Sequence, residues 1–159
     1  MTDLRIEQPN GVDGVDGVDR DDMLRDWQFV HNTIIPTHLL SLDDVRERVH
    51  RHHLEVAYLG DVLVGCSTLR PPTSEDPSTA TVIARVLPAH RGQGFGEELY
   101  VRGLDRARKL GAEVIETVVL ASNPDGLRFA ERHEFAEFER YLLPGDTVEW
   151  IELRRRAGT

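Results

Sequence analysis

Val82-Ile83-Ala84-Arg85-Val86-Leu87-Pro88-Ala89-His90-Arg91-Gly92-Gln93-Gly94-Phe95-Gly96 runs from a strand-like apolar segment through a proline into a glycine-rich turn, and an amphipathic helix pattern starts directly after it. Helix N-termini leave backbone N–H groups unpaired and carry partial positive charge, so a turn of this kind receives phosphate well. Gly92, Gly94 and Gly96 let the backbone approach a pyrophosphate with no Cβ in the way, and Arg91 adds a charge suited to phosphate oxygens. A Walker-type loop needs Gly-Lys followed by Ser or Thr, which is missing here. A dinucleotide fingerprint needs Gly-x-Gly-x-x-Gly, and after Gly92-Gln93-Gly94 the third glycine comes one residue early. A purely structural glycine turn remains as the alternative; the strand–turn–helix context speaks for a ligand.

Outward from that turn, residues 94–110 form a helix with Gly96, Leu99, Tyr100, Gly103, Ala107 and Leu110 on one face, closed by Gly111. Upstream, residues 54–59 and 62–69 read as strands joined by Gly60-Asp61, and 79–87 as the strand leading into the turn. Met23, Trp27, Val30 and Ile34 give a helix from Asp21 that Pro36 stops. Ser41 caps a second helix, with Asp43 and Asp44 in its first turn and Leu42, Val45 and Val49 as its stripe. His50, Arg51, His52 and His53 follow; positive groups at a helix C-terminus explain them better than a metal does. Downstream come a strand at 114–120, a short helix at 123–133, a strand at 135–143, a turn at Pro144-Gly145-Asp146 and a last strand at 147–154. With a short strand at 4–7, the order is that of an α/β layered domain.

The 159 residues suit a single domain, 1–159. Residues 10–20 carry a threefold Gly-Val-Asp repeat that reads as an acidic linker, since the Asp-x-Asp-x-Asp-Gly pattern and closing Glu of a calcium loop are missing. Cys66 is the single cysteine, which rules out an intrachain disulfide and a thiolate metal cluster. The start has neither a basic region nor an apolar core of the signal-peptide kind, and no apolar run is long enough to span a bilayer, so a cytoplasmic protein is expected. The net charge of −9 disfavours nucleic acid and anionic lipid and favours a cationic partner.

Arg91-x-x-Gly94-x-Gly96, preceded by Val86-x-Pro88, resembles the pyrophosphate signature of the GNAT acyltransferases. The segment from Asn123 to Phe135 resembles the family's Asn-x-x-Ala-x-x-Leu-Tyr-Glu-Lys-x-Gly-Phe helix, and the order of elements agrees from about residue 4 to 154. The resemblance implies a mixed, mostly antiparallel sheet of about six or seven strands with about four helices, splayed at Ala84, Arg85 and Val86. There the backbone would hold the pantetheine arm of acetyl-CoA. The pyrophosphate would sit on Arg91, Gly92, Gln93, Gly94, Phe95 and Gly96, with Asn123 beside the cofactor and no metal. A primary amine of a small molecule or peptide would attack the thioester directly; a homodimer is compatible with the family.

Two positions depart from the family. Its tyrosine falls at Ala130, and a glutamate that some members place five residues before the asparagine falls at Val118. Glu116, on the same strand face, and Tyr141, in the next strand, are the candidate catalytic groups in their stead. The departures also leave open a module that binds acyl-CoA and senses it without turnover.

Overall fold

Seven strands and four helices form among the described residues, which in this computed structural model are 3–9 and 20–158. The acidic repeat therefore lies outside them, Arg20 apart. The first elements are β1 (Leu4–Glu7), α1 (Asp21–Ile34), α2 (Leu42–Arg51), β2 (His53–Leu59), β3 (Val62–Arg70) and β4 (Thr79–Val86). There follow α3 (Phe95–Lys109), β5 (Val114–Leu120), α4 (Pro124–Arg132), β6 (Ala136–Tyr141) and β7 (Trp150–Arg156).

The strands lie in the order β1-β2-β3-β4-β5-β7-β6. β1–β2, β2–β3, β5–β7 and β6–β7 are antiparallel, whereas β4 and β5 are parallel. The sheet is thus mixed and mostly antiparallel, as the resemblance implied. Registered β4–β5 pairs run from Thr79↔Val114 to Thr81↔Glu116.

Two compact units divide the chain. The first holds β1–β3, α1, α2, the β4 residues from Ile83 on and α3 up to Gly103. β2 and β3 are buried on both faces. On one, Leu54, Val56, Tyr58 and Cys66 meet Met23, Leu24, Trp27 and Val30 of α1 and Val45 and Val49 of α2. On the other, Ala57 and Val64 meet Phe95 and Leu99 of α3, with Ala84 and Val86 packed against them. Gly65 is buried between, and a Cβ there would fall on the carbonyl oxygen of Arg85. Glycine is what lets β3 and β4 run this close.

The second unit holds the start of β4, the end of α3, β5, α4, β6 and β7. Ile115, Ala80 and Ile151 are its most deeply buried strand residues. Its register puts Glu116 opposite Arg154, Val118 opposite Glu152 and Leu120 opposite Trp150.

Local rules explain most boundaries. Ser41 accepts from Asp44 N–H while the Asp44 carboxylate accepts from Ser41 N–H, a reciprocal cap on α2. Gly111 takes φ 89° and closes α3 with N–H bonds from Gly111 to Arg108 and from Ala112 to Ala107. Leu110 is 48% exposed, however, and the inward face of α3 is completed by Phe95 and Leu104 instead. The last strand starts at Trp150 rather than 147, because the turn at Asp146, whose carboxylate accepts from Leu143 N–H, delays it. A 3-10 turn, Pro88–His90, also intervenes between β4 and the glycine turn.

α4 ends in the same way as α3, through Glu134 N–H to Glu131 and Phe135 N–H to Ala130, yet the left-handed residue is Glu134, at φ 68°. The family pattern has glycine there. A side chain in that conformation costs about 1–2 kcal/mol, part of which glycine returns through unfolded-chain entropy. Glu134→Gly should therefore raise stability by about 1 kcal/mol, seen as a melting temperature about 2–4 °C higher in calorimetry.

Candidate active site

The glycine turn lies in the first unit. Gly92 and Gly94 take φ 79° and 86°, conformations that side chains rarely adopt. The carbonyl of Gly94 accepts from Glu98 N–H at 3.1 Å, which makes Gly94 the N-cap of α3. A glycine cap brings no oxygen of its own to the first-turn amides, so these remain available to an anion. Phe95, 4% exposed, turns its ring into the core against Ala57, Val64 and Leu99 and offers only its backbone to the turn. Gln93 is exposed. Arg91 donates from Nε to the Val86 carbonyl at 3.0 Å and so ties the turn to the end of β4. Glu97 and Glu98 share the first turn and compete for the positive end of the helix. The geometry fits a pyrophosphate received by backbone N–H groups.

The second unit gathers titratable groups on one face of β5, β7 and β6. Arg154 donates to Glu116 at 3.2 Å from Nε and 3.1 Å from Nη2, and its Nη2 lies 3.9 Å from Glu152. Thr81 donates to the other Glu116 oxygen at 3.4 Å. The guanidinium of Arg154 stacks 3.8 Å above the Phe138 ring. Burial, then the hydrogen bond and charge of Glu116, push Glu152 up to about 7. Two carboxylates thus share one guanidinium, and one of them holds its proton near neutrality. Tyr141 is half-buried opposite Trp150, and Glu139 is opposite Glu152, so Tyr141 shares the face of this pair. Asn123 caps α4, its Oδ1 accepting from Gly126 N–H at 3.1 Å.

The sequence matches the model of the GNAT acetyltransferase family over residues 20–135. The chain belongs to this family. As a GNAT acetyltransferase it shares its fold with many solved structures. One is yncA from Salmonella typhimurium, solved with its cofactor acetyl-CoA: 16% identity, 98% of this chain and 94% of that one covered, TM-score 0.69. Another is an N-acetyltransferase from Staphylococcus aureus, with 12% identity, 99% and 100% coverage and TM-score 0.74. A third is the spermidine/spermine N-acetyltransferase SpeG from Vibrio cholerae, with 20% identity, 97% and 92% coverage and TM-score 0.66. No curated protein sequence matches the chain.

For this GNAT acetyltransferase, the two departures from the family now have a structural setting. Ala130 is 2% exposed, packed within its unit. Val118 lies directly opposite Glu152, and opposite residues of an antiparallel pair share a face with Cβ atoms about 4.5–5.5 Å apart. Across the ladder from Val118, β7 thus places a carboxylate on the same face. Glu152 is the group that sequence reasoning missed, and only the β5–β7 register reveals it. Among the described residues no cluster of His, Cys, Asp and Glu could hold a metal ion, and no helix is long and apolar enough to cross a membrane.

Proposed function

We propose that the chain is an N-acetyltransferase that moves the acetyl group of acetyl-CoA to a primary amine. The observation that carries this is the turn of residues 91–96, with two left-handed glycines and a glycine cap that leaves the first-turn amides of α3 to a pyrophosphate. Acetyl-CoA supplies the activated thioester. The backbone of Ala84, Arg85 and Val86 provides the amide edge for the pantetheine arm. The amine must be unprotonated to attack; a C–N bond forms, the C–S bond breaks, the nitrogen loses a proton and the thiolate gains one. In this reading the Glu152–Glu116 pair accepts the amine proton and Tyr141 protonates the thiolate. Orientation of the two substrates supplies much of the remaining rate.

A sensing role without turnover is the second reading, favoured by Ala130 standing where the family has its tyrosine. Acetyl-CoA should raise the melting temperature, and free thiol should appear when a broad panel of amines is added. Absence of a thermal shift at millimolar acetyl-CoA refutes both readings. A shift with no thiol from any amine leaves the sensor.

A further inference from the structure

The face of β2, β3 and β4 that meets α1 and α2 is apolar up to one end, where it becomes strongly basic. All groups concerned belong to the first unit. By the strand alternation Arg85 shares a face with Leu87, which packs against the α1–α2 core, whereas Ala84 and Val86 turn towards α3. Arg70 ends β3 on the Cys66–Thr68 side, and His52, the C-cap of α2, extends β2 beside it, next to the registered pair His53↔Leu69. Above them, Trp27 donates from Nε1 to the Ser67 carbonyl at 3.1 Å and stacks on His31, ring centroids 5.4 Å apart. That places His31 over β3.

The charges report how close these groups are. Burial and then Arg85 push His31 down to about 4; burial and then Arg70, Arg51 and Arg48 do the same to His52. Burial, with repulsion from Arg70 and Arg48 and against the pull of the Cys66 thiol, brings Arg85 down to about 10. Arg85, Arg70 and Arg48 thus lie on the α1–α2 side of the strands, beside His31 and His52, whose imidazoles are uncharged at neutral pH. Among the described residues no carboxylate acts on Arg85, whereas Asp44 and Glu47 of its own helix attract Arg48. Half-buried like charges repel one another at a cost that an anion between them would remove.

We propose that the acceptor is a small amine that also carries an anionic group, as amino acids and aminoalkylphosphonates do, and that Arg85, Arg48 and Arg70 bind this group on the α1–α2 face of β4. This rests on the acetyltransferase reading and names its substrate class. The phosphates of the donor do not account for the cluster. The glycine turn leads into α3, and α3 packs through Phe95 and Leu99 on the opposite face of the strands. Nor does the net charge of −9 govern the choice, because exposed charges are screened beyond about 10 Å at 0.1 M salt while these guanidiniums would touch the substrate. The cationic acceptor expected from overall charge and the anionic group expected from this cluster predict opposite preferences.

The experiment follows thiol release from acetyl-CoA with matched acceptors: α-amino acids and aminoalkylphosphonates, the amides of the same amino acids, and spermidine. The acidic amines should be preferred over their amides by about tenfold or more in kcat/KM. Arg48→Gln and Arg85→Gln should erase most of that preference through KM, Arg85→Lys should keep part of it, and Arg48→Gln should leave the acetyl-CoA dissociation constant unchanged. Turnover that ignores the acidic group, that favours spermidine, or that keeps its preference in both glutamine variants overturns this proposal and leaves the acetyltransferase standing. Acetyl-CoA binding without thiol from any amine overturns the acetyltransferase reading and this one with it.

Discussion

Gly94→Asp is expected to abolish acetyl-CoA binding while leaving the fold intact. Gly94 is the N-cap of α3, at φ 86°, and aspartate is both a preferred capping residue and one of the side chains that tolerate the left-handed region. Its carboxylate would accept from the first-turn amides that the parent protein leaves to the pyrophosphate, so the variant carries an internal competitor of the same charge as the ligand. Repulsion from that carboxylate adds to the loss of donors. Acetyl-CoA at a hundred times its dissociation constant stabilises the parent by about 2.7 kcal/mol. At about 2–4 °C per kcal/mol for a chain of this size, the melting temperature should rise by about 5–10 °C in the parent and not at all in the variant. Gly94→Ala strains the same backbone conformation without adding charge, and it should keep part of the shift. A full shift in Gly94→Asp would mean that the phosphates bind elsewhere.

The shape of the glycine turn was legible because its information is local. The glycines, the arginine and the strand before them sit within one stretch, and backbone geometry at Gly92 and Gly94 follows from residue type alone. Helix ends were legible for the same reason, at Ser41 and Gly111. What sequence could not disclose depends on register. Glu152 is exchanged for a carboxylate at Val118 only because β7 pairs antiparallel with β5 in one alignment; a shift by one residue would turn Glu152 to the other face. The proposed anion site of Arg48, Arg70 and Arg85 likewise draws on three elements, α2, β3 and β4. In sequence no motif singles out Arg48 or Arg70, and Arg85 enters only through its backbone in β4. Leu110 shows the limit of periodicity itself, since the helical stripe reaches past the core that it serves.

Glu152→Gln is expected to lower turnover by about a hundredfold or more, the range over which a positioned general base acts. The surroundings of Glu152 set up the role: burial, then the hydrogen bond and charge of Glu116, bring the group up to about 7 against the pull of Arg154 at 3.9 Å. A base must be ionised to accept a proton, so kcat/KM in the parent should climb as pH rises through about 7, and that limb should vanish in the variant. Stability moves the opposite way. A carboxyl group whose native pKa lies above its unfolded value binds more protons in the native state, so the fold loses stability as pH rises towards 7. Glutamine removes that loss, and Glu152→Gln should therefore melt higher than the parent at pH 8 and similarly at pH 5. Activity lost together with stability gained at pH 8 separates a chemical role from a folding defect. Adding Val118→Glu to Glu152→Gln returns a carboxylate to the directly opposite position and should recover about tenfold of the lost turnover. Full turnover in Glu152→Gln with an unaltered pH profile would remove Glu152 from the reaction and leave the amine to lose its proton to water.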